Sequence, residues 1–180
     1  MEYDSLVELV KKRRSTRRFK SDPVSDEDIS RIIEVAQWAP SGFNQQPWEF
    51  VVIRDKELKG KIVQMMREYN AQSAGLEACR EPWMVEAKRS PYYHDPQDFA
   101  NAPVFILLLG DTRTQVGLPM AVRYDTSRRE SIFNSSQCNA FLYMTLAVAS
   151  LRLACQWVST SQVPHIHCQV KHLLGIPHYM

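Results

Sequence analysis

The chain has 180 residues, of which 44% are hydrophobic and 23% are charged, and its formal net charge at pH 7 is +2. This length is typical of one domain with a sizeable core, and the composition excludes a disordered or fibrous chain. A net charge near zero argues against general binding of nucleic acid. The first residues lack the pattern of a signal peptide, no apolar run is long enough to cross a bilayer, and the four cysteines show no paired spacing. We therefore expect a cytoplasmic protein with reduced thiols and no membrane partner.

The first elements of the chain are predicted by capping residues and by side-chain periodicity. A capping-box pattern at Ser5 predicts that a first helix begins there and runs to about residue 13. A second pattern at Ser25 predicts a helix over residues 26–38, since apolar residues follow it at helical spacing. Alternating side chains then predict a strand over residues 48–53.

The middle of the chain contains one more helix and one strongly apolar segment. A third helix is predicted from about residue 55 to about residue 75. Residues 76–101 are rich in proline and aromatic side chains, and we interpret them as irregular or short helical pieces in a cover over a binding site. Their aromatic side chains can stack on a substrate or, alternatively, pack against the core. Residues 103–110 are apolar without alternation, which predicts a central strand buried on both faces.

The last third of the chain is predicted to be mainly helical. After a polar loop over residues 111–130, an apolar helix is predicted over residues 131–151, buried in a core or a subunit interface. Residues 154–159 are predicted to form a strand. A final helix over residues 164–174 is predicted to end at Gly175.

Neutral polar side chains are concentrated in the loop of residues 39–48, between the second helix and the first strand. Pro40 and Pro47 fix φ, and Gly42 allows backbone geometry that is closed to other residues. Donors and acceptors without formal charge are supplied by Ser41, Asn44, Gln45 and Gln46. Such a loop suits a flat, polar heteroaromatic ligand. An ordinary connection between a helix and a strand is the alternative.

A basic segment occupies residues 11–20, where seven of ten residues are Lys or Arg. In a chain of nearly zero net charge, such a cluster indicates a local anionic partner. The arginine fork matches phosphate oxygens, and Ser15 adds a hydroxyl donor. The alternative is a solvated helix end, where cations are favoured by the helix dipole.

Together the two segments resemble the nitroreductase family of FMN-dependent oxidoreductases. That family opens with a helix, an Arg-Arg-Ser-x-Arg segment, a second helix, and then Ala-Pro-Ser-x-x-Asn-x-Gln-Pro-Trp running into a strand. Here the two motifs occupy residues 13–17 and 39–48, in the same order and at the same spacing. The resemblance is strongest over residues 5–53.

The resemblance implies an α+β, three-layer fold in which helices flank a central mixed or antiparallel sheet, and a homodimer. It further implies a single domain over residues 1–180 that lacks the family's last strand and tail, because the family continues beyond a segment like residues 173–177. The chain also departs from the family at residues 152–154, where Arg-Leu-Ala replaces the Gly-Leu-Gly of many members. A close approach of the backbone at this point is therefore left open.

The resemblance also implies a set of FMN-binding residues. The phosphate and ribityl chain are expected to be held by Arg13, Arg14, Ser15 and Arg17. The ring is expected to be approached from the partner subunit by Pro40, Ser41, Gly42 and Asn44, and to lie beside a late strand that carries Val158 and Ser159.

The implied activity is a ping-pong cycle. NADH or NADPH reduces the flavin and leaves, and a small acceptor such as a nitroaromatic or a quinone is then reduced in the same pocket. No side chain is an obligatory acid or base in this scheme, so no catalytic residue is assigned. The sequence also lacks a Gly-x-Gly-x-x-Gly motif, which agrees with a nicotinamide that visits the flavin.

Three other functions remain open from the sequence. The same fold can bind flavin without turnover. The basic segment can act as a nucleic-acid arm, against which the low net charge argues. A metal site is suggested by His165, His167, Cys168 and His172. In a helix, residues 165 and 172 lie about 10 Å apart along the axis, so at most two of the four side chains bind one ion, and no metal is expected.

Overall fold

The computed structural model describes residues 2–77, 99–159 and 163–180. Its helices and strands are α1 (Tyr3–Lys12), α2 (Asp26–Gln37), β1 (Trp48–Ile53), α3 (Lys56–Glu77), β2 (Phe105–Gly110), α4 (Met120–Arg123), α5 (Thr126–Ser150) and α6 (Pro164–Leu174). Short 3-10 helices cover Gly42–Asn44 and Thr112–Gly117. Helices thus flank a small sheet, which confirms the α+β class. No helix in the described residues is long and apolar enough to cross a membrane.

The sheet consists of β1 and β2, which pair antiparallel from Trp48 opposite Gly110 to Ile53 opposite Phe105. The predicted strand over residues 48–53 is therefore confirmed. The prediction that β2 is buried on both faces is wrong, since all six of its residues are only half-buried. Among the described residues β2 pairs with β1 alone, so its other edge has no neighbouring strand to cover it.

Three apolar clusters of the described residues hold the helices and the sheet together, and one of them joins Trp48 of β1 to Ala140 of α5. Another joins Ile53 of β1 to side chains of α3 and α6, including Met66 and Ile166. The third lies between α2 and α5, where Ala36 is fully buried and Met144 nearly so. Burial of this kind stabilises by about 25 cal/mol per Å² of apolar surface. The sheet and α5 thereby form a firm base for the residues discussed below.

The helix ends follow the predicted capping residues in two places and depart from them in two others. Ser25 Oγ accepts from the Asp28 N–H at 3.0 Å and caps α2 as predicted. α6 ends at Gly175 in the left-handed conformation, with φ of 65°, also as predicted. The prediction that Ser5 caps α1 is wrong, because the helix begins at Tyr3 without a side-chain cap. α5 begins earlier than predicted because the Asp125 carboxylate accepts from the Arg128 N–H at 3.0 Å.

The predicted strand over residues 154–159 is absent. Cys155 alone forms an isolated parallel bridge, with Ser15, in which the Thr16 N–H donates to the Cys155 carbonyl at 2.9 Å. The rest of this stretch has no strand neighbour among the described residues. Most of the predicted cover, residues 76–101, lies outside the part of the chain that the structure describes.

Candidate functional site

A small basic pocket lies where the segment after α1 meets the turn after α5. It has a volume of about 260 Å³. Its lining residues are Lys12, Arg13, Arg14, Thr16, Thr145, Val148, Ala149, Arg152, Leu153, Ala154 and Cys155. The bridge between residues 15 and 155 holds the two segments together. Two of the predicted phosphate-binding residues, Arg13 and Arg14, therefore line one concave site.

The positive charge of the basic pocket is not neutralised by neighbouring acidic side chains. Its described lining includes four cations and no carboxylate. Lys12 Nζ lies 3.4 Å from the exposed Glu8 carboxylate, a solvent-screened pair of little energetic weight. Within the described residues, Arg13, Arg14 and Arg152 form no ion pair. The pocket is therefore an electrostatically favourable place for an anion.

Arg13 and Cys155 both line this pocket. Burial raises the pKa of the Cys155 thiol, and the positive charge of Arg13 opposes that rise. Arg13 itself is half-buried, whereas Arg14 is exposed. A partly buried guanidinium interacts with an anion more strongly than a fully solvated one.

A larger apolar cavity adjoins the basic pocket. Its volume is about 1260 Å³, and its lining includes all of β2 and the whole stretch of residues 152–158. Thr145, Val148 and residues 152–155 line both spaces, so the two are adjacent and share a wall. The rings of Phe141 and Trp157 lie 4.4 Å apart between centroids on its wall. Such a space suits a flat aromatic ligand.

Two buried acceptor atoms in the apolar cavity lack a partner among the described residues. They are the side-chain oxygens of Gln137 and Gln156. The amide nitrogen of Gln137 donates to the Pro47 carbonyl, which fixes the orientation of that side chain. A buried acceptor left unpaired costs about 1–3 kcal/mol, so a ligand that donates to these oxygens gains affinity. Flavins carry such donors, a ring N–H and the ribityl hydroxyls, so the residues present fit an FMN molecule.

The loop of residues 40–44 packs on a different part of α5. The Gly42 N–H donates to Ser136 Oγ at 3.1 Å, and Asn139 Nδ2 donates to the Pro40 carbonyl at 2.9 Å. A Cβ at Gly42 would lie 2.3 Å from Ile132 Cγ2. The expectation that Gly42 is needed for unusual backbone geometry is wrong, since its φ is not positive. Glycine is required here because the loop approaches α5 closely.

Backbone strain is concentrated in this loop. Phe43, Asn44 and Gln46 are all in the left-handed region, with φ of 55°, 52° and 48°. Ser41 Oγ accepts from the Gln46 N–H at 2.9 Å, and Asn44 Oδ1 accepts from Gln46 Nε2 at 3.1 Å. Strained conformations of this kind persist where the surroundings over-determine them, and they are frequent at binding sites.

Within one protomer, the structure does not bring the loop and the basic pocket together. The loop contacts Ser136 and Asn139 of α5, whereas the part of α5 that lines the pocket begins at Thr145, six residues and thus about 9 Å beyond Asn139. Val158 lines the apolar cavity, and Ser159 is exposed beside it. The predicted residues Ser15 and Arg17 are not among the lining residues of either space.

Sequence reasoning missed three side chains of this site. In the sequence, Arg152 is visible only as a departure from a glycine motif, and Gln137 and Phe141 are visible only as parts of an apolar helix. Gln137 and Phe141 are four residues apart, a spacing that predicts neighbouring positions on one helix face and could have identified them together. The described residues include no group of three or more His, Cys, Asp or Glu side chains placed to hold a metal ion.

Comparison with known proteins gives matches of both sequence and structure. Residues 10–180 match the family model described as the Nitroreductase family. The chain is 33% identical to iodotyrosine deiodinase 1 of Rattus norvegicus over 108 residues, which are 60% of this chain and 38% of that protein. It is 28% identical over 159 residues to 5,6-dimethylbenzimidazole synthase of Rhodospirillum rubrum, covering 87% of this chain and 69% of that protein.

A solved structure of iodotyrosine deiodinase bound to FMN and 3-iodo-L-tyrosine superposes with a TM-score of 0.68 at 26% identity. The match covers 97% of this chain and 83% of that one. The family match thus extends over nearly the whole chain, whereas the matched stretch spans less than two thirds of the rat deiodinase.

Proposed function

The chain belongs to the nitroreductase family, and from that membership we propose that it is an FMN-dependent oxidoreductase that uses NADH or NADPH to reduce a small acceptor. The observation that carries the proposal is that the basic pocket and the apolar cavity adjoin and share a wall. This pairing of an anion site with an aromatic slot matches a flavin nucleotide, which has a phosphate at one end and a flat ring at the other. The FMN seen in the related deiodinase structure supports the same reading.

The phosphate end is assigned to the basic pocket. Arg13 and Arg14 supply charge-assisted hydrogen bonds from inside the pocket. Ser15 and Arg17 belong to the same extended segment, and we assign them to the phosphate and the first part of the ribityl chain. The backbone bridge to Cys155 keeps this segment in place.

The ring end is assigned to the apolar cavity beside Val158 and Ser159. Gln137 and Gln156 line this cavity, and the adjacent rings of Phe141 and Trp157 give it an aromatic surface. FMN, when bound, supplies the hydride and electron-transfer chemistry. The residues of the chain orient the flavin and keep the acceptor beside it, and none of them is assigned as an acid or a base.

We further propose that the site is completed by a second copy of the chain. Pro40, Ser41, Gly42 and Asn44 line neither the basic pocket nor the apolar cavity of their own protomer, so they are assigned to the ring of the partner's flavin. Exposed apolar side chains support an interface: Trp38 is 80% exposed and Phe43 is 54% exposed. None of the residues of α1 is buried, and Val10 is 50% exposed on that helix. A homodimer would cover these side chains.

For the electron acceptor we propose a broad chemical class and no single compound. Nitroaromatics and quinones fit a cavity with an aromatic wall, and the named relatives include a deiodinase and a synthase. The competing function is a flavin-binding protein of the same fold that does not turn over. The whole chain is assigned to one domain and to the cytoplasm.

Oxidation of NADH and of NADPH by the FMN-loaded protein tests this proposal. With a nitroaromatic or a quinone present, we expect steady consumption of at least one nicotinamide at a rate that depends on the acceptor. Protein that retains FMN but consumes neither nicotinamide with any acceptor would instead support the binding function.

A further inference from the structure

The backbone of Arg152 is in an unfavourable conformation. Its φ is 59°, and outside the loop that contains Gln46 it is the one described non-glycine residue with positive φ. It follows α5 at the position where helices commonly place a glycine. The Arg152 N–H donates to the Ala149 carbonyl at 3.2 Å, and the Leu153 N–H donates to the Val148 carbonyl at 3.0 Å. These two bonds are those of a Schellman motif, which glycine would form without steric cost.

The side chain of Arg152 is also in an unfavourable place. It is exposed and lines the basic pocket together with Lys12, Arg13 and Arg14, where like charges repel each other with a strength that solvent screens. Arg152 forms no ion pair with an acidic side chain in the described residues. Neither the backbone nor the surroundings of this position therefore favour arginine in the unliganded fold.

Both costs are offset when an anion occupies the pocket. We propose that Arg152 completes a binding site for a phosphate monoester, in which its guanidinium joins those of Arg13 and Arg14. The guanidinium fork donates two parallel hydrogen bonds to phosphate oxygens, a geometry that lysine does not reproduce. This inference rests on the proposed function, because the phosphate monoester that we assign to this site is that of FMN.

A second consequence concerns selectivity among flavins. Arg152 lines both the basic pocket, to which the phosphate is assigned, and the apolar cavity, to which the ring is assigned. It therefore lies between the two ends of the proposed ligand. Its contribution requires a phosphate and is absent for riboflavin, which lacks one. Arg152 is therefore a positioning and selectivity residue, and it takes no part in electron transfer.

The test uses Arg152→Gly, which removes the charge and relieves the backbone strain at once. We expect the thermal midpoint of the flavin-free protein to rise, and the Kd for FMN to increase by about tenfold or more. The Kd for riboflavin should stay within about twofold of the wild-type value, since riboflavin cannot use the lost hydrogen bonds. Both constants are measured from flavin fluorescence at one fixed ionic strength.

Two further variants separate charge from geometry. Arg152→Lys keeps the charge and the strain but loses the fork, so its FMN affinity should lie between those of wild type and Arg152→Gly. Arg128→Gln removes one exposed cation that lines neither space, and should leave both flavin affinities unchanged. An unchanged FMN affinity in Arg152→Gly, or an equal loss for FMN and riboflavin, overturns the inference and leaves the proposed function standing.

Stabilisation by inorganic phosphate tests the anion site without any flavin. If the wild type binds no flavin but is stabilised by phosphate more than Arg152→Gly is, at matched ionic strength, the anion site stands and the proposed function fails. If neither flavin nor phosphate distinguishes the wild type from Arg152→Gly, the inference is overturned.

Discussion

The Gly42 N–H donates to Ser136 Oγ at 3.1 Å, and this bond joins the strained loop to α5. The same hydroxyl donates to the Ile132 carbonyl at 2.7 Å, and Ser136 is only 1% exposed. One buried hydroxyl therefore satisfies a loop amide and fixes the loop on a rigid helix. The loop that we assign to the partner's flavin thus has a defined conformation before any ligand binds.

Ser136→Ala should lower the free energy of unfolding by about 1–3 kcal/mol, because it leaves the Gly42 N–H without its acceptor. Urea unfolding measures this change. Ser135→Ala is the matched control, since Ser135 Oγ donates to the same Ile132 carbonyl at 3.0 Å but is exposed and accepts no bond from the loop. The control should stay within about 0.5 kcal/mol of wild type. Equal losses in the two variants would contradict this role for Ser136.

Gly42→Ala should destabilise the protein by about 1–3 kcal/mol, because the new methyl group meets Ile132 Cγ2 on a β-branched side chain that is stiff in a helix. The same substitution should cost less in an Ile132→Ala background, where the obstructing methyl is absent. A double-mutant cycle of unfolding free energies measures the coupling. If the cost is the same in both backgrounds, close packing is not the reason for glycine at this position.

Acid stability should depend on the pair of Asp111 and Arg113. Their hydrogen bond holds the pKa of the Asp111 carboxyl below its usual value of 3.8. Because the folded pKa is the lower one, the stabilisation is complete above the unfolded value and is lost as the pH falls through the folded value. Asp111→Asn should therefore be less stable than wild type at neutral pH, with a difference that shrinks below about pH 4. A difference that stays constant down to acid unfolding would exclude this ionic contribution.

Complementation between two defective chains should reveal a shared site. Arg13→Ala removes a phosphate cation, and Asn44→Gly removes a loop side chain while tolerating its positive φ. Each variant alone should bind FMN weakly. After the two are unfolded together and refolded, roughly a quarter of the sites should bind tightly, because half of the dimers are mixed and each holds one intact site. No recovery is expected if one chain supplies the whole site.

Local features of the fold could be predicted from the sequence, and features set by distant residues could not. The Ser25 cap, the extent of β1 and the Gly175 stop depend on neighbours within a few residues, and all three predictions are confirmed. The predicted alternation along β1 is wrong, since Trp48 and Ile53 are both buried and Val52 is exposed. The exposure of β2 depends instead on which strands lie beside it. The need for glycine at position 42 depends on Ile132, ninety residues later.

The candidate site was predictable only in part for the same reason. The two motifs identified a cofactor class, since their residue types and spacing are local. Nothing in the sequence around Arg152 indicates a left-handed backbone, because arginine is an unfavourable residue there. The basic pocket and the apolar cavity adjoin because α5 packs against two separate segments. Such a relationship becomes visible only in three dimensions.

The most direct test of flavin binding is the visible absorption spectrum of the purified protein after incubation with FMN and removal of the excess. We expect a yellow protein that retains about one flavin per chain, which is identified as FMN after release. A protein that stays colourless under these conditions, while its far-ultraviolet circular dichroism shows that it is folded, would contradict the central claim.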